Sequence, residues 1–220
     1  MKTAILTILT MFLSVTVLFG QTSKDSLIVF VGEIIDVIYS PKDKKKAVDT
    51  IIEGKDTSYV ITISMDSRYI AKYKILQLIH GTYKADTIEF VAFDHYGKPG
   101  FSKYKTVLLF VSISDGKLYH EKYQYFGLYL TKNGKWASPY PSSDYNHPYK
   151  DNITVRPEKI KFKSEVSFPL DKLTKEQIEL WYPSPYYKVM NGRAIAIYGN
   201  YIDDLFKLKQ QTILKARGYY

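Results

Sequence analysis

The sequence predicts a mainly β protein: a five-stranded antiparallel barrel followed by a small α+β C-terminal appendage. Three observations carry that expectation. Residues 104–112 form the most apolar run outside the N-terminus, framed by Gly97-Lys98-Pro99-Gly100 and Asp115-Gly116. Eight or nine residues between two turn signals suit a strand, and residues 107–111 offer no polar position, so both faces need cover. The chain also holds 21 tyrosines, most of them alternating within strand-like runs, where a ring packs along a half-buried face with its hydroxyl in water.

Taken in order, residues 27–39 read as a long first strand rich in β-branched residues, with Gly32 placed for a bulge or a sharp coil. Ser40-Pro41 ends it, and Lys42-Asp43-Lys44-Lys45-Lys46 follows as a solvated loop. Residues 47–53 are ambiguous, Gly54-Lys55-Asp56 is a turn, and residues 59–65 alternate as a strand. Residues 68–79 and 86–93 add two more strands, the first closed by His80-Gly81. After the apolar run and Asp115-Gly116, residues 117–131 form a tyrosine-rich strand. Asn133-Gly134 is a two-residue hairpin signal.

Residues 138–152 are turn-rich and aperiodic, and are expected to be a linker loop. Beyond it, residues 153–155 and 160–168 suit edge strands. Thr174-Lys175-Glu176-Gln177 has capping-box spacing for a helix over 175–181. Asn191-Gly192 joins a second hairpin between residues 187–190 and 193–198. Asn200 can cap a last helix whose stripe is Ile202, Leu205, Phe206, Lys209 and Ile213, four apolar residues and one lysine.

Residues 1–20 have the layout of a secretory signal peptide: Lys2, an apolar core, and small Gly20 before a polar stretch. The rival reading is a membrane anchor, but no strong basic flank follows. A secreted or periplasmic location is therefore expected, with no membrane span after cleavage. There is no cysteine, which excludes disulfides and thiolate metal sites and suits a bacterial envelope protein. The formal charge is +9, spread along the chain. An exported chain of this kind is not expected to bind nucleic acid.

The order of features up to residue 130 resembles a known family. Leu27-Ile28-Val29-Phe30-Val31-Gly32-Glu33 opens the series, and Leu78-Ile79-His80-Gly81 closes a strand. Asp86-Thr87-Ile88-Glu89-Phe90, Pro99-Gly100-Phe101, Val107-Leu108-Leu109-Phe110-Val111 and Asp115-Gly116-Lys117-Leu118-Tyr119 follow. This is similar to the netrin-like modules, which include the tissue inhibitors of metalloproteinases. The resemblance covers residues 27–130 and implies an OB-like barrel there. The chain's own pattern sets the domain bounds: the barrel at 21–137, the linker at 138–152 and the appendage at 153–220 packed on the barrel. It does not carry over protease inhibition, because the inhibitors coordinate zinc through an N-terminal cysteine and Gln21 cannot.

No nucleophile elbow, P-loop or helical His-x-x-x-His pair is present, and no catalytic residue, metal site or cofactor is expected. Asp94-His95 and His120-Glu121 place acids beside imidazoles, but neighbours in a strand face opposite ways. The candidate ligand-binding residues are Tyr119, Tyr123, Tyr125 and Tyr129 on one face of their strand, with Lys117 in register. Such a face serves either as a platform for a carbohydrate or protein ligand, or as the surface on which the appendage docks. The expected function is a non-enzymatic, exported binding or interaction protein. A secreted hydrolase with a loop-built site is the alternative, and an envelope protease inhibitor stands on the resemblance alone.

Overall fold

The structure, a computed structural model, describes residues 26–41, 47–53, 56–62 and 65–220. Residues 1–20, read above as a signal peptide, the lysine run 42–46 and Gly54-Lys55 lie outside the described residues. The chain enters the barrel through β1 (Leu27–Tyr39), and β2 (Ala47–Glu53) pairs with β3 (Asp56–Thr62) as a separate hairpin. The barrel continues with β4 (Ser67–His80), β5 (Thr87–Asp94), β6 (Thr106–Ser114) and β7 (Lys117–Gly127). Its order is β1-β4-β5-β7-β6, and β6 closes on β1. This is the mainly β, OB-like barrel the sequence predicts, with one correction. The barrel is mixed, because β5 and β7 pair in parallel at Val91 and Tyr119. A ring of five strands cannot alternate direction all the way round, so one neighbouring pair must be parallel.

Strand β6 runs through the centre of both packing layers. Val107, Leu109 and Val111 face the lumen with Phe30, Tyr73, Phe90 and Phe101. Leu108 and Phe110 face outward, beside Val29, Val31 and Phe126 of neighbouring strands. All five residues from 107 to 111 are fully buried. The outward layer is sealed by two C-terminal helices, α3 (Ile202–Gln211) and α4 (Ile213–Ala216), through Ile202, Leu205 and Leu214. Strand β1 shifts register against β4 at three places, one of them at Gly32. A Cβ at Gly32 would meet the Phe30 ring at 2.8 Å, so the tight lumen packing depends on glycine.

Turn chemistry accounts for the tightest connections. Asp115-Gly116 and Asn191-Gly192 each have φ > 0 at both residues, 49° and 69° in the first and 52° and 69° in the second. That is the two-residue turn matched to strand twist, and it pairs Ser114 with Lys117 and Met190 with Arg193. Asn133-Gly134 departs from the two-residue expectation. Only Gly134 has φ > 0 there, and Thr131 pairs with Lys135 across a three-residue loop. The Thr131 hydroxyl accepts from Lys135 N at 3.1 Å, which favours the longer, bulged turn.

The segment expected as a loop at 138–152 is largely structured. After β8 (Tyr129–Leu130) comes β9 (Trp136–Pro139), then the short helix α1 (Ser142–Tyr145) and a 3-10 turn at Lys150–Asn152. Two small sheets follow. One joins β8 and β9 to β10 (Glu158–Lys159) and β14 (Tyr198–Tyr201); the other orders β11 (Ser167–Pro169), β13 (Arg193–Ala196) and β12 (Tyr187–Met190). Helix α2 (Lys175–Trp181) has the expected capping box between Thr174 and Gln177. Asn200 does not cap α3. It lies fully buried in β14, accepts from the Tyr145 hydroxyl and donates to the Arg156 carbonyl, and Tyr201 takes the cap position.

Candidate functional site

Strand β7 does not hold one alternation along its length. Opposite β6, Leu109 pairs with Tyr125 but Val111 pairs with His120. The odd excess of residues between those pairs turns the rest of the strand over. Leu118 and His120 face the lumen before the bulge, and Tyr125 packs toward it afterwards. The bulge sets Tyr123 at φ 66°.

The five predicted residues are therefore not a single platform. Lys117 is exposed at the β7 start. Tyr119 stacks on Phe93, 6.4 Å between ring centres. Tyr123, Tyr125 and Tyr129 instead line a cleft of about 320 Å³ between β7, the β9–α1 corner and the second small sheet. Its remaining wall includes Tyr104, Tyr140, Phe168 and Tyr187. Gly127 lets Tyr104 lie against the strand: a Cβ there would meet the Tyr104 ring at 2.3 Å.

The cleft is a phenol cluster. Burial pushes Tyr129 and Tyr140 up to about 12, and it raises Tyr104, Tyr125, Tyr182 and Tyr187 as well. The Tyr104 ring centre lies 6.0 Å from that of Tyr125 and 6.4 Å from that of Tyr129. All these hydroxyls stay protonated at neutral pH and can both donate and accept. Tyr187 uses its hydroxyl on the Tyr140 carbonyl at 2.8 Å. The hydroxyls of Tyr104, Tyr125 and Tyr129 bond to no side chain or backbone group among the described residues, and none of them is sealed from solvent.

Charge enters the cleft as a compensated pair. Lys209, on the buried side of α3, bonds the Asp144 carboxylate and donates to Gln124 Oε1 at 2.9 Å. Its ammonium also lies 4.6 Å from the centre of the Phe126 ring, a cation–π contact. Lys209, Asp144 and Gln124 are the residues sequence reasoning missed. The available signal was the single lysine on an otherwise apolar helical stripe.

The histidines do not assemble a site. His120 is in the lumen against Phe101, 4.6 Å between ring centres, and its Nε2–H donates to the Gln124 carbonyl at 2.9 Å. Glu121 faces away, bound by Arg217 at 2.5 Å and by the Tyr219 hydroxyl at 2.7 Å. His95 instead approaches Asp66 at 3.8 Å. Among the described residues no three His, Asp or Glu side chains converge as a metal set.

Burial pushes His120 down to about 4, against a smaller upward pull from the Gln124 carbonyl and Glu121. The folded state thus holds a neutral imidazole where the unfolded chain takes a proton near pH 6.5. Stability from this group is complete above about pH 6.5 and falls as the pH drops toward 4. Between pH 7 and pH 5 the loss is about 2 kcal/mol. Urea midpoints at the two pH values should show it in the natural chain and not in His120→Phe; equal losses in both would remove His120 as the cause.

Comparison with protein families, with curated proteins and with solved structures found no match to this chain.

Proposed function

We propose that this chain is an exported, non-enzymatic binding protein of the cell envelope that holds its ligand in the tyrosine-walled cleft. The supporting observation is how the polar groups divide. The ammonium and carboxylate in the cleft are tied to each other, whereas three phenol hydroxyls are unspent. A few placed polar groups among aromatic walls suit recognition. General acid–base chemistry needs a group free to exchange its proton with substrate. Export is supported by the layout of residues 1–20 and the absence of cysteine. The resemblance of residues 27–130 to the netrin-like modules enters this proposal for the fold alone.

A thermal-shift screen of the full chain against glycans and peptides tests this reading. A ligand that raises the Tm should bind about tenfold more weakly to Tyr123→Ala, and should be recovered intact after prolonged incubation. Tyr123 is 44% exposed, so its loss leaves the fold in place. Cleavage of the ligand that disappears in Asp144→Asn would replace the binding reading with the hydrolase one.

A further inference from the structure

We infer that the cleft takes an uncharged sugar chain, a neutral oligosaccharide or a stretch of polysaccharide. This rests on the binding function proposed above and adds the ligand class.

Charge decides first. The chain carries a formal +9, yet the charged residues lining the cleft are one lysine and one aspartate bound together. The positive charge is thus carried elsewhere. An anionic ligand needs cations it can reach, and Lys209 is 5% exposed with two of its three donors engaged. A cationic ligand meets the same obstacle at Asp144, already bound by Lys209.

The walls decide next. Tyr104, Tyr125 and Tyr129 combine ring faces with hydroxyls that donate and accept. A pyranose ring has the matching parts: an apolar face of C–H groups and a rim of hydroxyls that also donate and accept. The lining rings come from β7, from the loop before β6 and from the second small sheet, among other segments. A volume of about 320 Å³ is at the small end for ligand sites, so it suits one or two sugar units of a longer chain.

The test is isothermal titration of the full chain with cellohexaose, maltohexaose and hexa-N-acetylchitohexaose as neutral probes. Hexagalacturonate serves as the anionic probe, and an acetylated, amidated hexapeptide library as the peptide probe. At least one neutral hexaose should bind with a Kd of about 1 mM or tighter, with little change between 0.1 M and 0.5 M salt. Tyr129→Phe and Tyr123→Ala should each weaken it about tenfold with the Tm of Tyr123→Ala unchanged. Tighter binding of hexagalacturonate, or binding of peptides alone, overturns the neutral-sugar assignment; if the cleft variants abolish that binding, the cleft is still a binding site. Neutral-sugar binding that ignores both variants places the sugar elsewhere and overturns this inference. No binding by any probe overturns both this inference and the proposed function.

Discussion

Lys209→Met should cost about 3–5 kcal/mol of stability, because it strands the Asp144 carboxylate in a site that water reaches poorly. Asp144 is 9% exposed and Lys209 5%. Methionine keeps the straight stem beside Phe126 but removes the ammonium that bonds Asp144 and Gln124. The loss is therefore electrostatic and not a cavity effect. A second change separates the two. Lys209→Met combined with Asp144→Leu removes both charges, and a buried pair replaced by apolar residues is often neutral or better. The double variant should recover most of the loss, measured as the urea midpoint at constant slope. A single variant within about 1 kcal/mol of the natural chain would mean that the pair behaves as a surface contact.

The same pair ties the cleft to the barrel. Gln124 lies in the β7 bulge, and three C-terminal side chains hold that bulge from outside. Lys209 takes Gln124, Arg217 takes Glu121 and the Lys122 carbonyl, and Tyr219 takes Glu121. The bulge in turn places Tyr123 and turns Tyr125 to its present side. The C-terminal helices thus do two jobs at once: they cover the outward face of β6, and they fix the wall of the candidate site.

What was legible in the sequence is what local chemistry decides. Residues 107–111 read as a doubly covered strand because no position in them tolerates water, and all five are buried. Asp115-Gly116, Asn191-Gly192 and the Thr174 capping box behave as read, since each needs only its own few residues. The parallel contact between β5 and β7 was not legible, because closure of the ring imposes it. The β7 bulge was hidden for a related reason. Tyr119, Tyr123, Tyr125 and Tyr129 alternate perfectly on paper, but His120 in the lumen and the C-terminal partners of Glu121 and Gln124 decide the register. Asn200 has every local mark of a helix cap, yet Tyr145 and Arg156, distant in sequence, claim its side chain. Three of the four candidate tyrosines line the cleft, but the charged residues of its wall come from segments read as a loop and as a helix stripe.

Phe110→Ala should cost about 3–5 kcal/mol, a fall in Tm of roughly 10 °C for a chain of this size. Phe110 is fully buried. It meets Phe126 edge-on at 6.4 Å and Phe206 of α3 at 6.2 Å. Both neighbours sit on rigid elements, one in the barrel and one on the helix sealing it, so the hole left by the ring has little means to collapse. Leu109→Ala, one residue away and on the lumen side, should cost about 2–5 kcal/mol, because Phe30, Phe90 and Phe101 surround it in a closed ring of strands. The two effects should also differ in kind. Loss of Phe110 loosens α3 and with it the Lys209 contact to Gln124, so hydrogen exchange should quicken across α3 and the β7 bulge before the barrel strands open. Loss of Leu109 should weaken the barrel strands together. Comparable small losses at both positions, under about 1 kcal/mol, would mean that β6 has one face open to water, and the two-layer arrangement would not stand.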